Sequence, residues 1–161
     1  MPRTQQRLER AKQALVKRAA VKRDVLKVVS GGKLSLSSNA IAEIDVATMG
    51  LETTSIVAFG KHMHWDFNST AKVIGATTRT LERHRVDKKR LNIKVSENAL
   101  EVARLSSIGV EYFGDVARFN DWLRTPNTQF DNKEPKAVLH TVRGRELIKR
   151  IIRGLEYGFT A

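Results

Sequence analysis

Apolar residues recur at helical spacing along almost the whole chain, and small or polar stops separate the stretches. Ile41, Ile44, Val46 and Met49 predict a helix halted at Gly50. A second runs from Thr53 or Thr54 through Ile56, Val57, Phe59, Gly60 and Met63 to Trp65. A third begins near Asp66 or Asn68, with Asn68 or Ser69 as its cap, and carries Ala71, Val73 and Ile74 before Gly75. Thr77 then has the side chain to accept a hydrogen bond from the first turn of a fourth helix, Thr78 to Arg85. Ser96-Glu97 opens a longer helix with Ala99, Leu100, Val102, Ala103, Leu105 and Ile108. Gly109 does not have to end it, because Val110, Tyr112 and Phe113 extend the pattern to Gly114. Asp115 is placed to cap a short helix presenting Val116, Phe119, Trp122 and Leu123, ended by Pro126. A polar loop spans residues 125–133, and a brief helix over 134–140 has Pro135 in its first turn. The last helix, 142–156, turns Leu147, Ile148, Ile151, Ile152 and Leu155 inward.

Two readings stand for the N-terminal segment. Residues 4–29 lack Pro and Gly, and Leu8, Ala11, Leu15, Ala19 and Lys22 lie on one narrow stripe that Val25 and Val29 continue. Residues 25–37 could instead form a hairpin around Ser30-Gly-Gly. Ser30-Gly-Gly-Lys33 is a boundary on either reading.

Charge changes this picture more than composition does. The net charge is +12, but it is unevenly placed. Residues 1–33 hold ten Lys/Arg against Glu9 and Asp24, and residues 72–94 hold eight against Glu82 and Asp87. Residues 34–71 are net negative, and residues 95–161 are close to balanced, with ten basic and nine acidic side chains. Such a field in the front half suits a polyanion; a basic, solvated helix face is the plainer alternative for residues 1–33. No apolar stretch approaches the roughly 20 residues that a membrane span needs. With no cysteine and no secretory signal, a cytoplasmic protein without disulfide or thiol chemistry is expected.

The basic third block coincides with a helix-turn-helix layout over residues 68–85: a short helix with Ala71 inward, Gly75 for the turn, then a Thr-capped helix. With Leu81 facing the core, steps of about 100° put Arg79 and Arg83 on the opposite side, roughly 160° and 200° away. Thr78 and Thr80 flank them near the helix N-terminus. Arg can read guanine bidentately, whereas Lys88, Lys89, Arg90 and Lys94 just beyond would neutralise phosphates. A plain helical hairpin with a basic face is the alternative.

Catalytic constellations are absent from the pattern. His62 and His64 stand about 200° apart on a helix and cannot share a metal; His84 and His140 have no carboxylate or cysteine companions nearby in sequence. Ser30-Gly-Gly-Lys33 lacks phosphate-loop spacing. No enzyme activity, metal or cofactor is expected.

The C-terminal third carries the most specific pattern: Val110-Glu-Tyr-Phe-Gly-Asp115, Trp122-Leu-Arg-Thr-Pro-Asn127 and Ile152-Arg-Gly-Leu-Glu-Tyr-Gly158. With Met49-Gly-Leu, Ala103-Arg-Leu and the turn-and-helix Ile74-Gly-Ala-Thr-Thr-Arg-Thr-Leu-Glu-Arg83, it resembles the Xre/MbcA/ParS-type antitoxins, partners of RES-domain toxins. The resemblance runs from about Ile41 to Ala161 and leaves the basic N-terminus uncovered. Asp131-Asn-Lys stands where that family usually has Gly-Gly. The resemblance implies a C-terminal domain that binds and covers the active site of a RES toxin, an enzyme that consumes NAD or uses it for ADP-ribosyl transfer. It also implies a middle domain that binds the operator of the shared operon.

The expected fold is therefore all-α. Residues 1–37 form a basic N-terminal extension, 38–94 an Xre/Cro-like helix-turn-helix domain, and 95–161 a small helical toxin-binding domain. The expected function is a type II antitoxin that also represses its own operon, assembled as a homodimer or a larger complex with the toxin. Thr78, Arg79, Thr80, Arg83, Lys88, Lys89 and Arg90 are the candidate DNA contacts. Arg124, Arg150, Arg153, Glu156, Tyr157, Gly158 and Phe159 are the candidate toxin contacts, with the tail led into a pocket. Trp122 and Phe113 are assigned to the core. One rival is a free-standing helix-turn-helix regulator whose C-terminal domain only dimerises; another is an RNA-binding or nucleoid-coating protein acting through residues 1–33.

Overall fold

The computed structural model describes residues 3–158, and the side chains of residues 3, 4 and 17–23 lie outside that description. Its helices are α1 (Arg3–Arg23), α2 (Val25–Val29), α3 (Ala40–Met49), α4 (Thr53–His62), α5 (Phe67–Val73), α6 (Thr78–Val86), α7 (Ile93–Phe113), α8 (Val116–Arg124) and α9 (Val142–Glu156). Single 3-10 turns lie at Thr128–Phe130 and Pro135–Val138. No β-strand occurs among the described residues; one isolated antiparallel bridge joins Asn127 and Lys133. The fold is all-α, as the apolar spacing predicts.

Polar side chains set the helix starts. Asn39, Asp66, Thr77, Asn92, Asp115 and Thr141 each accept a hydrogen bond from an amide in the following first turn, which satisfies a donor that the helix itself leaves unpaired. Asp66, not Asn68 or Ser69, caps α5. Asn92 caps the start of α7 four residues before the Ser96 expected to open it, and Ser96 is instead buried, accepting a hydrogen bond from the Leu51 amide at 3.0 Å.

Helix α7 is the organiser. It packs against α2 and α3 on one side and against α8 and α9 on another. Its Val95, Ala99, Leu100, Val102, Ala103, Leu105 and Val110 are all buried in a single continuous core. Gly109 keeps α7 slim where α8 crosses, since a Cβ there would collide with the Phe119 ring. Phe119, Phe113 and Trp122 then form a triangle of rings, with centroids 5.9 Å (Phe113–Phe119), 6.3 Å (Phe119–Trp122) and 5.3 Å (Phe113–Trp122) apart. Trp122 and Phe113 are half-buried against the core, in line with their core assignment.

The N-terminal segment departs from expectation. Asp24 ends the first helix and caps the next, accepting from the Lys27 amide at 3.1 Å and the Leu36 amide at 3.2 Å. Residues 25–29 are helical, not one arm of a hairpin. Val25, Leu26, Val29 and Leu34 are almost wholly buried against α4 and α7. This part of the expected extension therefore belongs to the core. Farther upstream Leu8 and Leu15 are exposed, so among the described side chains the anticipated stripe is buried only at its continuation, Val25 and Val29; Ala19 and Lys22 lie outside that description. On α3 the core face is Val46 and Ala47, while Ile41, Ile44 and Met49 point to solvent.

Candidate functional site

Helix α6 is built to expose rather than to bury. Leu81 is its one buried residue, and α4 and α5 supply its packing. Before it, Gly75 takes φ +75° to make the turn, a left-handed conformation that residues with a Cβ adopt reluctantly. The Asn98 amide donates to the Ile74 carbonyl at 3.3 Å and pins that turn to α7. Thr77 Oγ1 accepts the Thr80 amide at 3.1 Å and donates to Thr80 Oγ1 at 2.9 Å, so Thr80 is partly committed to the cap. Thr78 is half-buried, while Arg79 and Arg83 are exposed on the side away from Leu81, as the helical steps predict. Arg83, His84 and Arg85 occupy the last turn, where the carbonyl end of the helix favours positive charge.

The basic run beyond α6 divides. Lys88 and Lys89 are exposed. Arg90 is tied down: it donates to the Gly50 carbonyl at 2.9 Å and pairs with the Glu52 carboxylate at 3.0 Å. It fastens the α3–α4 turn to the loop after α6, a structural use that the charge run alone does not reveal.

The second surface belongs to α8 and α9. On α9, Ile148, Ile151 and Ile152 are buried and Leu147 and Leu155 half-buried, leaving Arg150, Arg153, Glu156 and Tyr157 outward. Tyr157 is 78% exposed, so it does not cover the domain's own core. Gly158 follows, exposed, with φ +75°; Phe159 lies outside the described residues. Arg124 is exposed at the end of α8, with Nε donating to the Asn120 carbonyl at 3.3 Å and Nη2 3.8 Å from Asp121. In the intervening loop Asp131 and Asn132 both take φ +57°, the left-handed conformation that Gly-Gly would supply most easily. Asp and Asn tolerate it better than other residues with a Cβ.

Two buried polar side chains, Asn120 and Arg145, and the half-buried Asn98 connect the two surfaces. Asn120 on α8 accepts from Trp65 Nε1 at 2.7 Å and donates to the Met63 carbonyl at 2.7 Å. Arg145 on α9, only 5% exposed, donates to the Asn98 carbonyl oxygen at 3.0 Å and pairs with Glu101 at 2.6 Å. Asn98 thus joins the Gly75 turn to α9. None of these contacts is foreshadowed by periodicity; the only hint is a polar residue falling on an otherwise apolar helix face.

Residues 109–158 match the family described as the antitoxin Xre/MbcA/ParS C-terminal toxin-binding domain. The match spans α8, the loop, α9 and the last turns of α7. No curated protein matches the chain. No helix among the described residues is long and apolar enough to cross a membrane.

Proposed function

Residues 109–158 carry the toxin-binding domain of Xre/MbcA/ParS-type antitoxins, and from that premise we propose that this antitoxin silences a RES-domain toxin and binds its own operator. The observation that carries the reading is the two-sidedness of α9 within that domain. Its apolar face is spent on the core, while Arg150, Arg153, Glu156 and Tyr157 stand free at its end. A large aromatic held outside its own fold, flanked by fixed charges, suits insertion into a partner's pocket. Arg124 adds a further exposed cation on α8. Gly158 and Phe159 would continue the chain into a toxin site that consumes NAD or transfers ADP-ribose from it.

The proposed DNA contacts are Thr78, Arg79, Thr80 and Arg83 for the groove, with Lys88 and Lys89 on phosphates. The outward arginines of α6 and its basic last turn support that part. Repression of the shared operon and assembly as a homodimer with toxin complete the proposal.

Co-expression with the RES-domain toxin of the neighbouring reading frame tests it. The full chain should restore growth and co-purify with the toxin, and removing residues 157–161 should weaken both while leaving DNA binding intact. A full-length chain that neither rescues nor retains the toxin would overturn the reading. Unimpaired rescue by the shortened chain would remove the tail from the mechanism.

A further inference from the structure

At the C-terminal end of α6 lies a recess of roughly 440 Å³, of whose lining the assignments above use only Lys88 and Lys89. Its floor is the N-terminus of α4, and its lining includes Thr53, Thr54, His84, Arg85, Lys88 and Lys89. Three observations make it more than a basic patch. Unlike most helices of this chain, α4 has no side-chain cap: Glu52 precedes it without accepting from the first turn. The Thr53 and Thr54 amides are therefore left as unpaired donors at the positive end of the helix dipole. Thr53 is 4% exposed, and its buried hydroxyl has no hydrogen-bond partner; such a group is costly to bury unsatisfied.

The charges are arranged to match. The Glu52 carboxylate is occupied by Arg90, and Asp87 stands 3.9 Å from Lys89. His84 is held at the recess by its Nδ1, 3.1 Å from the Arg90 carbonyl. Among the described residues, Arg85 and Lys88 have no ion-pair partner. Amide donors at a helix N-terminus, a spare hydroxyl and exposed cations are the components of a phosphate cradle.

We propose that the recess formed by Thr53, Thr54, Arg85, Lys88 and Lys89 at the start of α4 is a binding site for a phosphate group. The nine residues of α6 span about 13 Å, close to the roughly 12 Å width of a major groove. A helix that reads bases with Arg79 at one end thus sets the recess beside the flanking backbone at the other. The occupant is either that backbone phosphate or a free phosphate. The first source rests on the operator-binding reading above; the second does not.

The test uses the full-length, isotope-labelled protein titrated with inorganic phosphate at constant ionic strength, with chloride as the control. Phosphate and not chloride should shift the Thr53 and Thr54 amide resonances saturably. Thr53→Val should abolish that response while keeping the parent's thermal midpoint. If the occupant is a backbone phosphate, DNA from upstream of the chain's own reading frame should shift the same two amides. Thr53→Val should then weaken DNA binding about fivefold, the worth of one hydrogen bond. Lys88→Ala with Lys89→Ala should make the salt dependence shallower by about one phosphate per lysine. If free phosphate is the occupant, DNA leaves those amides unmoved. A phosphate response that persists where no DNA binding is found sinks the operator reading alone. Amides that respond to neither phosphate nor DNA in the folded protein overturn the site.

Discussion

Helices α6 and α9 are attached to the fold in opposite ways: α6 rests on α4 and α5, and α9 on α7. Helix α6 has one buried side chain, Leu81, and depends on the Thr77 cap, the Gly75 turn and the Asn98 clasp for its position. Helix α9 sinks three isoleucines and Arg145 into the core. The difference shows in what each leaves outside: α6 offers almost its whole circumference, whereas α9 offers one charged face and an aromatic end. In the proposed DNA-binding role, a helix cannot also be anchored by a broad apolar face. One that meets a protein surface can be, because only its outer side and tip make contact.

The strongest challenge to this comparison is to divide the chain at residues 94/95, where the charge pattern changes. Fragment 95–161 would expose Val95, Ala99, Val102 and Ala103, which α2 and α3 help to cover. It would also lose the partners of Ser96 and Ser107, namely the Leu51 and Val25 amides. We expect neither fragment to show a cooperative urea transition; a sharp transition in either would mean that the two surfaces are independent. Next in size, Phe119→Ala should destabilise the whole chain by about 3–5 kcal/mol, read as one displaced unfolding midpoint for probes in both halves. Two separated midpoints would break the shared-scaffold view.

Smaller and confined to one surface, Arg79→Ala and Arg83→Ala should each cost about 1–3 kcal/mol of operator affinity, measured by binding titration at fixed salt, with neutralisation of the toxin unchanged. The smallest effect belongs to Asp66. The Ser69 amide, and then the Ser69 hydroxyl, hold its carboxyl below the ordinary aspartate value, with a lesser contribution from Lys136. A depressed folded value stabilises the protein above the unfolded value and loses that contribution as pH falls through the folded one. Asp66→Asn should therefore be slightly less stable than the parent near neutral pH, and the gap should close in acid. A gap that widens in acid would contradict the sign.

Most helix extents were legible because caps and periodicity agree. Thr77, Asp115 and the survival of Gly109 inside α7 all follow from neighbouring residues. What escaped was long-range. Nothing local says that Val25, Leu26 and Val29 meet α4 and α7 while Leu8 and Leu15 of the similar stripe stay exposed. Asn92 and Ser96 are both fair caps four residues apart, and the contest was settled by the Leu51 amide, which needs Ser96 inside. Likewise Arg145 reads as one more solvated cation until Asn98 and Glu101 are brought beside it. At the candidate sites, the outward set of Arg79, Arg83, Arg150 and Arg153 could be read from helical angle alone. The restraint on Arg90 and the recess at Thr53 depend on segments more than thirty residues apart.

Asn120 carries a last consequence. Because this one amide grips both the Trp65 indole and the Met63 carbonyl from α8, a protease that opens the chain on either side loosens both halves together. The lifetime of the exposed α6 face and that of the exposed α9 face are then a single quantity, so clearance of this protein would remove both in the same event.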